Sequence, residues 1–345
     1  MIVFLTSFIF STIFVCIIYK KGYGLDKCSK EKSHAMHNYE VSRLGGLGVI
    51  GGILMSSIFF SPLFITILIG STAIFVFGFL EDKYHLDLPY SEKIGFIILS
   101  TVILLYLTKE GAFNIGFVVL DHNSVLEAGL GYFIALVGIV GFASAVNFID
   151  GLNGYAMGVI FITLSFFGIH FYKAGMSDFL NLILILNGAI LGFLIFNFPF
   201  GKIFLGDMGA HLIGFMVGFI SIAMTNHETD ISLWYPLAAF TIPIIETLNT
   251  IYRRIKRKKD GIPFGQSDLD HLHHYVWNAI KDRYSSIQDN KIKNSIAALY
   301  ILVPHLVLNI MAFYFRHNDI ALALLFVFAS LTYLWVYKWL KPKKI

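Results

Sequence analysis

Charge is scarce in this chain of 345 residues. Asp, Glu, Lys and Arg together make up 14% of it, against roughly 25% in a soluble domain, whereas hydrophobic residues make up 57%. A chain this long and this apolar cannot cover itself with polar surface, which argues against a soluble globular enzyme and a disordered chain. Cysteine is scarce too, and Cys16 and Cys28 are too few for a disulfide-rich secreted domain. The composition therefore predicts a protein that crosses a membrane several times.

Long apolar runs are what the chain has instead, and each is near the roughly 20 residues that a spanning helix needs. Helices are expected, because open strands cannot satisfy their backbone groups in lipid. The sequence thus predicts an all-α, polytopic bundle that forms a single transmembrane domain over 1–345. Its eleven expected spans are 2–18, 44–60, 63–80, 94–108, 129–147, 154–172, 179–197, 208–225, 234–252, 295–315 and 320–337.

The basic residues predict how this bundle is oriented. Lys20 and Lys21 follow the first apolar run, the reverse of the order in a signal peptide, so we expect a retained anchor with its N-terminus outside. Eleven spans then place the C-terminus in the cytoplasm and all but three of the 26 Lys and Arg residues in inner loops. The largest extramembrane piece is the cytoplasmic loop 253–294.

Four polar stretches interrupt the apolar pattern, and this topology places them all at the cytoplasmic edge. The first is the acidic pair Glu81 and Asp82, at the end of the third run. Two adjacent carboxylates at a membrane boundary can share a metal ion, bind a basic partner, or act as a base and a metal ligand. The structural alternative is a charged helix end at the water interface.

The next two stretches are rich in glycine. NFIDGLNG (147–154) has more polar side chains than a tight turn needs, although a turn between two spans remains the alternative. In FNFPFGKIFLGDMG (196–209), Asp207 can ligate a Mg²⁺ ion that also holds a phosphate, and Lys202 can meet the same anion. The alternative for Asp207 is an ordinary helix N-cap.

The fourth stretch, DLDHLHH (268–274), lies in the basic inner loop. No cysteine is near and no HExxH motif occurs, which argues against zinc. The imidazoles can instead donate to the oxygens of a phosphate. Upstream, the basic residues between Arg253 and Lys259 are explained as an anchor against anionic lipid. Acids, imidazoles and glycine-rich turns at one membrane edge suit a phosphate-bearing substrate linked to Mg²⁺.

Five motifs, in this order along the chain, resemble those of the polyprenyl-phosphate N-acetylhexosamine-1-phosphate transferases, a family that includes the phospho-MurNAc-pentapeptide transferases. They are SRLGGLG (42–48), GFLED (78–82), NFIDGLNG, FNFPFGKIFLGDMG and DLDHLHH. The resemblance implies a multi-pass enzyme of the bacterial inner membrane with a cytoplasmic active site. It would transfer a sugar-1-phosphate from a UDP-N-acetylhexosamine to a polyprenyl phosphate and release UMP. The implied cofactor is Mg²⁺, with Mn²⁺ as an alternative; no nucleic-acid partner is implied, and a homodimer is left open.

The resemblance also implies roles for individual residues. Asp82 would activate the lipid phosphate with Glu81 beside it, Asp207 would ligate Mg²⁺ and act in catalysis, and His273 would be catalytic. The substrate-binding residues that it implies are Asn147, Asp150, Gly151, Leu152, Asn153, Lys93, His271, His274 and His37, and Lys202 is a further candidate because it can meet the same anion as Asp207.

The sequence departs from the family pattern at the acidic pair, where Glu81 replaces the usual Asp. Its extra methylene moves the carboxylate by about 1.5 Å, one carbon–carbon bond, so Asp82 is the stronger candidate for the essential acid. The NFIDGLNG and DHLHH motifs favour the UDP-N-acetylhexosamine branch and the initiation of a surface glycan such as O-antigen or capsule. The alternatives are the peptidoglycan branch and, outside the family, a transporter of lipid-linked glycans.

Overall fold

The computed structural model describes residues 1–26, 41–56, 61–84, 86, 88–226, 231–262 and 270–342. In these residues the fold is helical apart from two short antiparallel strands, β1 (Leu25–Asp26) and β2 (Val41–Ser42). The helices are α1 (Ile2–Lys21), α2 (Gly45–Met55), α3 (Pro62–Gly70), α4 (Thr72–Tyr84), α5 (Tyr90–Thr108), α6 (Val125–Ile149), α7 (Tyr155–Lys173), α8 (Ser177–Asn197), α9 (Gly206–Ala223), α10 (Trp234–Ala239), α11 (Thr241–Lys259), α12 (Leu272–Arg283), α13 (Asn290–Tyr314) and α14 (Asp319–Leu340).

Most of these helices have the length and composition of membrane spans. Eight of the described helices are long and apolar enough to cross a bilayer, and α3 with α4 makes a ninth if this pair, bent by 49°, counts as one span. The prediction of an all-α, multi-pass membrane protein is confirmed. The count of eleven is not, because the expected span 44–60 yields the 11-residue α2 and the expected span 234–252 is divided at Phe240.

Pro243 gives a physical reason for that division. A residue at this position would normally donate its N–H to the carbonyl of Ala239, and proline has no N–H. The Ala239 carbonyl instead accepts from Asn309 Nδ2 of α13 at 3.2 Å. Beyond the break, α11 continues to Lys259, so the basic residues that the sequence analysis assigned to a loop lie on a helix, and α12 occupies much of the rest of 253–294.

The centre of the bundle is α9, in which every residue from Met208 to Ala223 is buried. Glycines let its neighbours approach closely: a Cβ atom at Gly214 would lie 2.8 Å from the Ala143 Cα atom of α6, and one at Gly209 would lie 2.8 Å from Gly46 of α2. The N-terminus of this central helix meets the C-terminal end of α4. The polar stretches gather at this end of the bundle.

Candidate active site

A half-buried lysine joins two of the predicted acids. Lys93, in the first turn of α5, places its Nζ atom 2.5 Å from Oε1 of Glu81 and 2.6 Å from Oδ2 of Asp207. Glu81 lies in the last turn of α4 and Asp207 in the first turn of α9, so Lys93 connects three helices. The side chain of Glu81, one methylene longer than that of Asp, contacts Lys93.

The second acid of the pair has a different set of partners. Asp82 is 4% exposed, and its carboxylate accepts the backbone N–H groups of Asp207 at 3.1 Å and Met208 at 3.0 Å. It therefore caps the N-terminus of α9, whose own N-cap residue, Leu205, offers no side-chain acceptor. Gly206, with φ +81°, permits this approach, because a Cβ there would lie 2.6 Å from Oδ2 of Asp82.

These contacts decide two alternatives that the sequence left open. Asp207 is not the N-cap of α9, since it lies inside the first turn and its side chain turns to Lys93. The acidic pair is not simply a charged helix end in water, since Glu81 and Asp82 are 7% and 4% exposed.

The two glycine-rich segments are tied to each other and to α13. The backbone N–H of Asn153 donates to Oδ1 of Asn294 at 2.7 Å, and that of Gly154 donates to Oδ1 of Asn197 at 2.6 Å. The side chains of Leu152 and Asn153 are buried, so they support the segment from within. Asn294 is not predictable from the sequence, because nothing in its neighbourhood along the chain distinguishes it from an ordinary helix residue.

Asp150 stands at the open side of this segment. Asp150 is exposed, and it lies close enough to Asp207 for the two charges to interact. Partial desolvation and then the neighbouring Asp207 raise the pKa of Asp150 to about 7, against the opposing effect of Arg43. Asp150 therefore binds its proton more tightly than an ordinary Asp does. Asn147, in the last turn of α6, is half-buried.

The histidines meet the glycine-rich segment at the start of α12. The His273 ring lies directly against Gly151, where any Cβ atom would overlap it, and its centroid is 4.4 Å from that of His274 and 5.3 Å from that of His271. Burial lowers the pKa of His273 well below its usual range, and the neighbouring imidazoles and Arg253 lower it further, so its ring is neutral at pH 7. The His273 Nδ1 atom has no hydrogen-bond partner among the described residues.

One arginine lies in the site although the sequence analysis placed it in a lipid anchor. Arg254 is buried, and its guanidinium lies 4.9 Å from the ring centroid of Tyr90 and 5.0 Å from that of Phe148. Phe148 belongs to the NFIDGLNG segment, and its ring centroid is 6.3 Å from that of His271. Arg254 therefore supplies positive charge where nucleotide and phosphate groups are expected.

Two of the predicted binding residues are not brought to this cluster. Lys202 is exposed, and its ammonium lies 5.8 Å from the centroid of the Phe200 ring. Within the part of the chain that the structure describes, it forms no ion pair with the site carboxylates. His37 lies outside the described residues, as does Asp268 of the histidine motif.

The carboxylates suit a magnesium ion that is shared with a substrate. No group of three or more His, Cys, Asp and Glu side chains is arranged to hold a metal ion in the described ranges. Mg²⁺ needs no such cage, because one or two carboxylates, waters and substrate phosphate oxygens complete its shell. Asp207, whose side chain is 35% exposed, and the nearby Asp150 provide these hard oxygen atoms. The residues present therefore fit Mg²⁺.

Comparison with known proteins agrees with this chemistry. The family described as Glycosyl transferase family 4 matches residues 64–225, which contain the acidic pair, the glycine-rich segments and Asp207. A probable undecaprenyl-phosphate N-acetylglucosaminyl 1-phosphate transferase of Bacillus subtilis is 31% identical over 282 residues, 79% of this chain and 76% of the relative.

Two further relatives represent both branches of the family. An undecaprenyl-phosphate alpha-N-acetylglucosaminyl 1-phosphate transferase of Salmonella typhi is 24% identical over 80% of this chain and 76% of its own length. A phospho-N-acetylmuramoyl-pentapeptide-transferase of Streptococcus agalactiae is 29% identical over 58% of this chain and 61% of its own length. By its sequence, its membrane helices and the acids that they bring together, this chain belongs to glycosyl transferase family 4.

Proposed function

We propose that this protein transfers an N-acetylhexosamine-1-phosphate group from a UDP-sugar to undecaprenyl phosphate or another polyprenyl phosphate and releases UMP. The observation that carries the proposal is the cluster of Lys93, Glu81 and Asp207 at one end of a membrane bundle, beside a histidine-lined segment. A site at the end of a bundle can receive a lipid phosphate from the bilayer and a soluble nucleotide from water. The reaction would begin the synthesis of a lipid-linked surface glycan.

The reaction balances without an oxidant or a further reactant. An oxygen of the lipid phosphate forms a bond to the β-phosphorus of the UDP-sugar, and the bond from that phosphorus to the bridging oxygen breaks. UMP leaves with the bridging oxygen, and the sugar remains on the new diphosphate. Phosphoryl transfer of this kind depends mainly on alignment and on neutralising charge.

The residues of the site supply both requirements. Lys93 and Arg254 provide positive charge for the phosphoryl oxygens, and Asp82 holds α9 so that Asp207 has a fixed position. Mg²⁺ at Asp207, or Mn²⁺ in its place, would neutralise the diphosphate of the donor. Activation of the lipid phosphate by Asp82 stays a prediction; both of its oxygens already accept backbone N–H groups.

The expected orientation remains part of the proposal. Nine spans, with α2 and the divided pair α10 and α11 as two further crossings, would make eleven, and an odd number leaves the two termini on opposite sides of the membrane. We expect the N-terminus outside and the site in the cytoplasm. The distribution of Lys and Arg supports this arrangement. Single cysteines at Asn123 and Ser285 test it, since an impermeant thiol reagent applied to whole cells should label only the first. Labelling of Ser285→Cys would contradict the orientation.

The UDP-N-acetylhexosamine branch is favoured over the pentapeptide branch by the extent of similarity. Matches to the two N-acetylglucosaminyl transferases cover 79% and 80% of this chain, whereas the match to the Streptococcus agalactiae pentapeptide transferase covers 58%. An N-acetylglucosamine donor is therefore the first to test.

The test is turnover by purified protein in detergent. Radiolabelled UDP-N-acetylglucosamine, UDP-N-acetylgalactosamine or UDP-MurNAc-pentapeptide is mixed with undecaprenyl phosphate, with and without Mg²⁺, and UMP and the extracted lipid are measured. We expect labelled lipid and UMP in equal amounts from a UDP-N-acetylhexosamine. Turnover with the pentapeptide donor alone would assign the protein to peptidoglycan synthesis, and binding without UMP would favour a transporter. The mass of the purified protein in detergent tests whether it forms a homodimer.

A further inference from the structure

The histidine segment is held from outside by a buried carboxylate. Glu246, on α11, is 2% exposed. Its Oε1 atom is 2.8 Å from His271 Nδ1, and its Oε2 atom accepts the backbone N–H of Leu272 at 3.1 Å. His271 is the N-cap residue of α12 but makes no side-chain cap of its own. Glu246 therefore satisfies the first backbone donor of α12 from a different helix.

The last helix of the chain supports this carboxylate. The hydroxyl of Tyr333, on α14, donates to Oε2 of Glu246. One turn later, the hydroxyl of Tyr337 donates to the backbone carbonyl of Asp270 at 2.9 Å, and Lys341 Nζ lies 3.6 Å from the Asp270 carboxylate. Thus α14 holds the two residues that precede α12: Asp270 directly, through Tyr337, and His271 indirectly, through Glu246.

These contacts fix the ring of His271. A carboxylate only accepts hydrogen bonds, so the His271 Nδ1 atom carries a proton, and in the neutral ring Nε2 is then the acceptor atom. The fixed ring stacks on His273 with an interplanar angle of 20°, and its centroid is 5.8 Å from that of His274. A rotation of the His271 ring would break its bond to Glu246 and disturb both neighbouring imidazoles.

We infer that Glu246 and Tyr333 are positioning residues, which act through His271 to shape the histidine side of the UDP-sugar site. The inference rests on the proposed function and adds the C-terminal helix to the active-site apparatus. That helix lies outside residues 64–225, where the family match ends. Neither residue needs to touch the substrate.

Tyr333→Phe tests this inference, because it removes only the hydroxyl. The matched control is Tyr300→Phe, which removes a hydroxyl that hydrogen-bonds to Tyr284 at 3.0 Å on the exposed surface. Binding of UDP-N-acetylglucosamine is titrated in detergent with Mg²⁺ and without the lipid acceptor. We expect Tyr333→Phe to raise the Kd about tenfold with the same number of sites, as a displaced contact group does, and Tyr300→Phe to leave it unchanged. A purely structural role would instead reduce the number of binding sites at constant Kd, which would overturn the inference.

A double-mutant cycle shows whether the effect passes through His271. If it does, Tyr333→Phe weakens binding in the wild-type background but not in His271→Ala. If the two substitutions instead raise the Kd by independent factors that multiply in the double variant, the effect of Tyr333 does not pass through His271. Glu246→Gln provides a second route, because His271 and Leu272 face different oxygens of Glu246 and only one of the two terminal atoms of Gln is an acceptor. The Kd of this variant should rise at least as much. Wild-type protein that binds the UDP-sugar but releases no UMP with lipid present would refute the proposed function alone, whereas an unchanged Kd in Tyr333→Phe would refute the positioning role alone.

Discussion

The carboxylate of Asp82 caps the helix that carries Asp207. Its two oxygens accept the N–H groups of Asp207 and Met208, and the Asp207 side chain is thereby presented to Lys93. These two acceptor oxygens lie at the positive end of the helix dipole, where an acceptor is favourable. Asp82, which the sequence favours as a catalytic group, therefore also positions Asp207 by capping α9.

Asp82→Asn should weaken both folding and turnover. The amide keeps one acceptor but places an NH₂ group against a backbone N–H, so one buried donor is left unsatisfied at a cost of about 2 kcal/mol in the free energy of unfolding. We expect a lower melting temperature and slower UMP release, measured on the same preparation.

A cap on another helix is the control for that prediction. Asp289 caps α13 by accepting the N–H of Lys291 at 2.7 Å, but it is exposed. Asp289→Asn should therefore cost about 1 kcal/mol or less and leave UMP release unchanged. A wild-type melting temperature in Asp82→Asn would show that the cap does not stabilise α9.

Lys93→Met should leave the carboxylates of Glu81 and Asp207 to repel each other. Glu81 and Asp207 would lose the ammonium that lies between them, and we expect the free energy of unfolding to fall by about 2 kcal/mol, less than for a fully buried pair because the Asp207 side chain is 35% exposed. UMP release should also be lost. The double variant Lys93→Met/Glu81→Gln removes one of the two charges and should recover melting temperature but not activity. No recovery would mean that repulsion is not the cause.

Much of this site follows from the sequence, because a polar residue in an apolar chain is conspicuous. The acidic pair, Asp207 and the histidines stand out in this way, and the structure brings them to one end of the bundle. Glu81 is an instructive case: its extra methylene is a departure from the family pattern, and the structure explains it by the contact with Lys93.

Partners distant in sequence were not predictable. Tyr333 meets Glu246 across 87 residues, and Asn294 meets Asn153 across 141, and no local pattern specifies which helices lie side by side. Arg254 was hidden for a different reason, since a run of basic residues at a membrane edge already has an explanation in lipid anchoring. The division of the expected span 234–252 has one sign in the sequence, which is Pro243.

Asp207→Asn should remove the response of the site to magnesium. Loss of a carboxylate ligand should slow UMP release by at least about 100-fold. A second measurement does not depend on turnover: in the wild type, Mg²⁺ should increase the thermal stabilisation that the UDP-sugar gives, and in Asp207→Asn this increase should vanish. The matched control is Asp178→Asn, because Asp178 is the second residue of α8 as Asp207 is of α9. This variant should keep the Mg²⁺ effect. A Mg²⁺ effect that survives in Asp207→Asn would remove Asp207 as the ligand.

Asp150→Asn should change how stability depends on pH. Asp150 ionises near pH 3.8 in the unfolded chain and near 7 in the folded one, so the folded protein holds a proton that the unfolded chain has released. The free energy of unfolding therefore falls as pH rises through this window, and the asparagine variant lacks that fall. With EDTA present, the melting temperature of Asp150→Asn relative to the wild type should rise between about pH 4 and about pH 7 and then level off, as followed by fluorescence of the four tryptophans.

The origin of that shift can be tested in the same way. The negative charge of Asp207 is one of the two causes that raise the pKa of Asp150, so in an Asp207→Asn background the change should move to lower pH. A difference in melting temperature that stays constant over the whole range would mean that Asp150 is already ionised in the folded protein. It would then meet the nucleotide as a full negative charge, and its place beside a diphosphate would require a cation to lie between them.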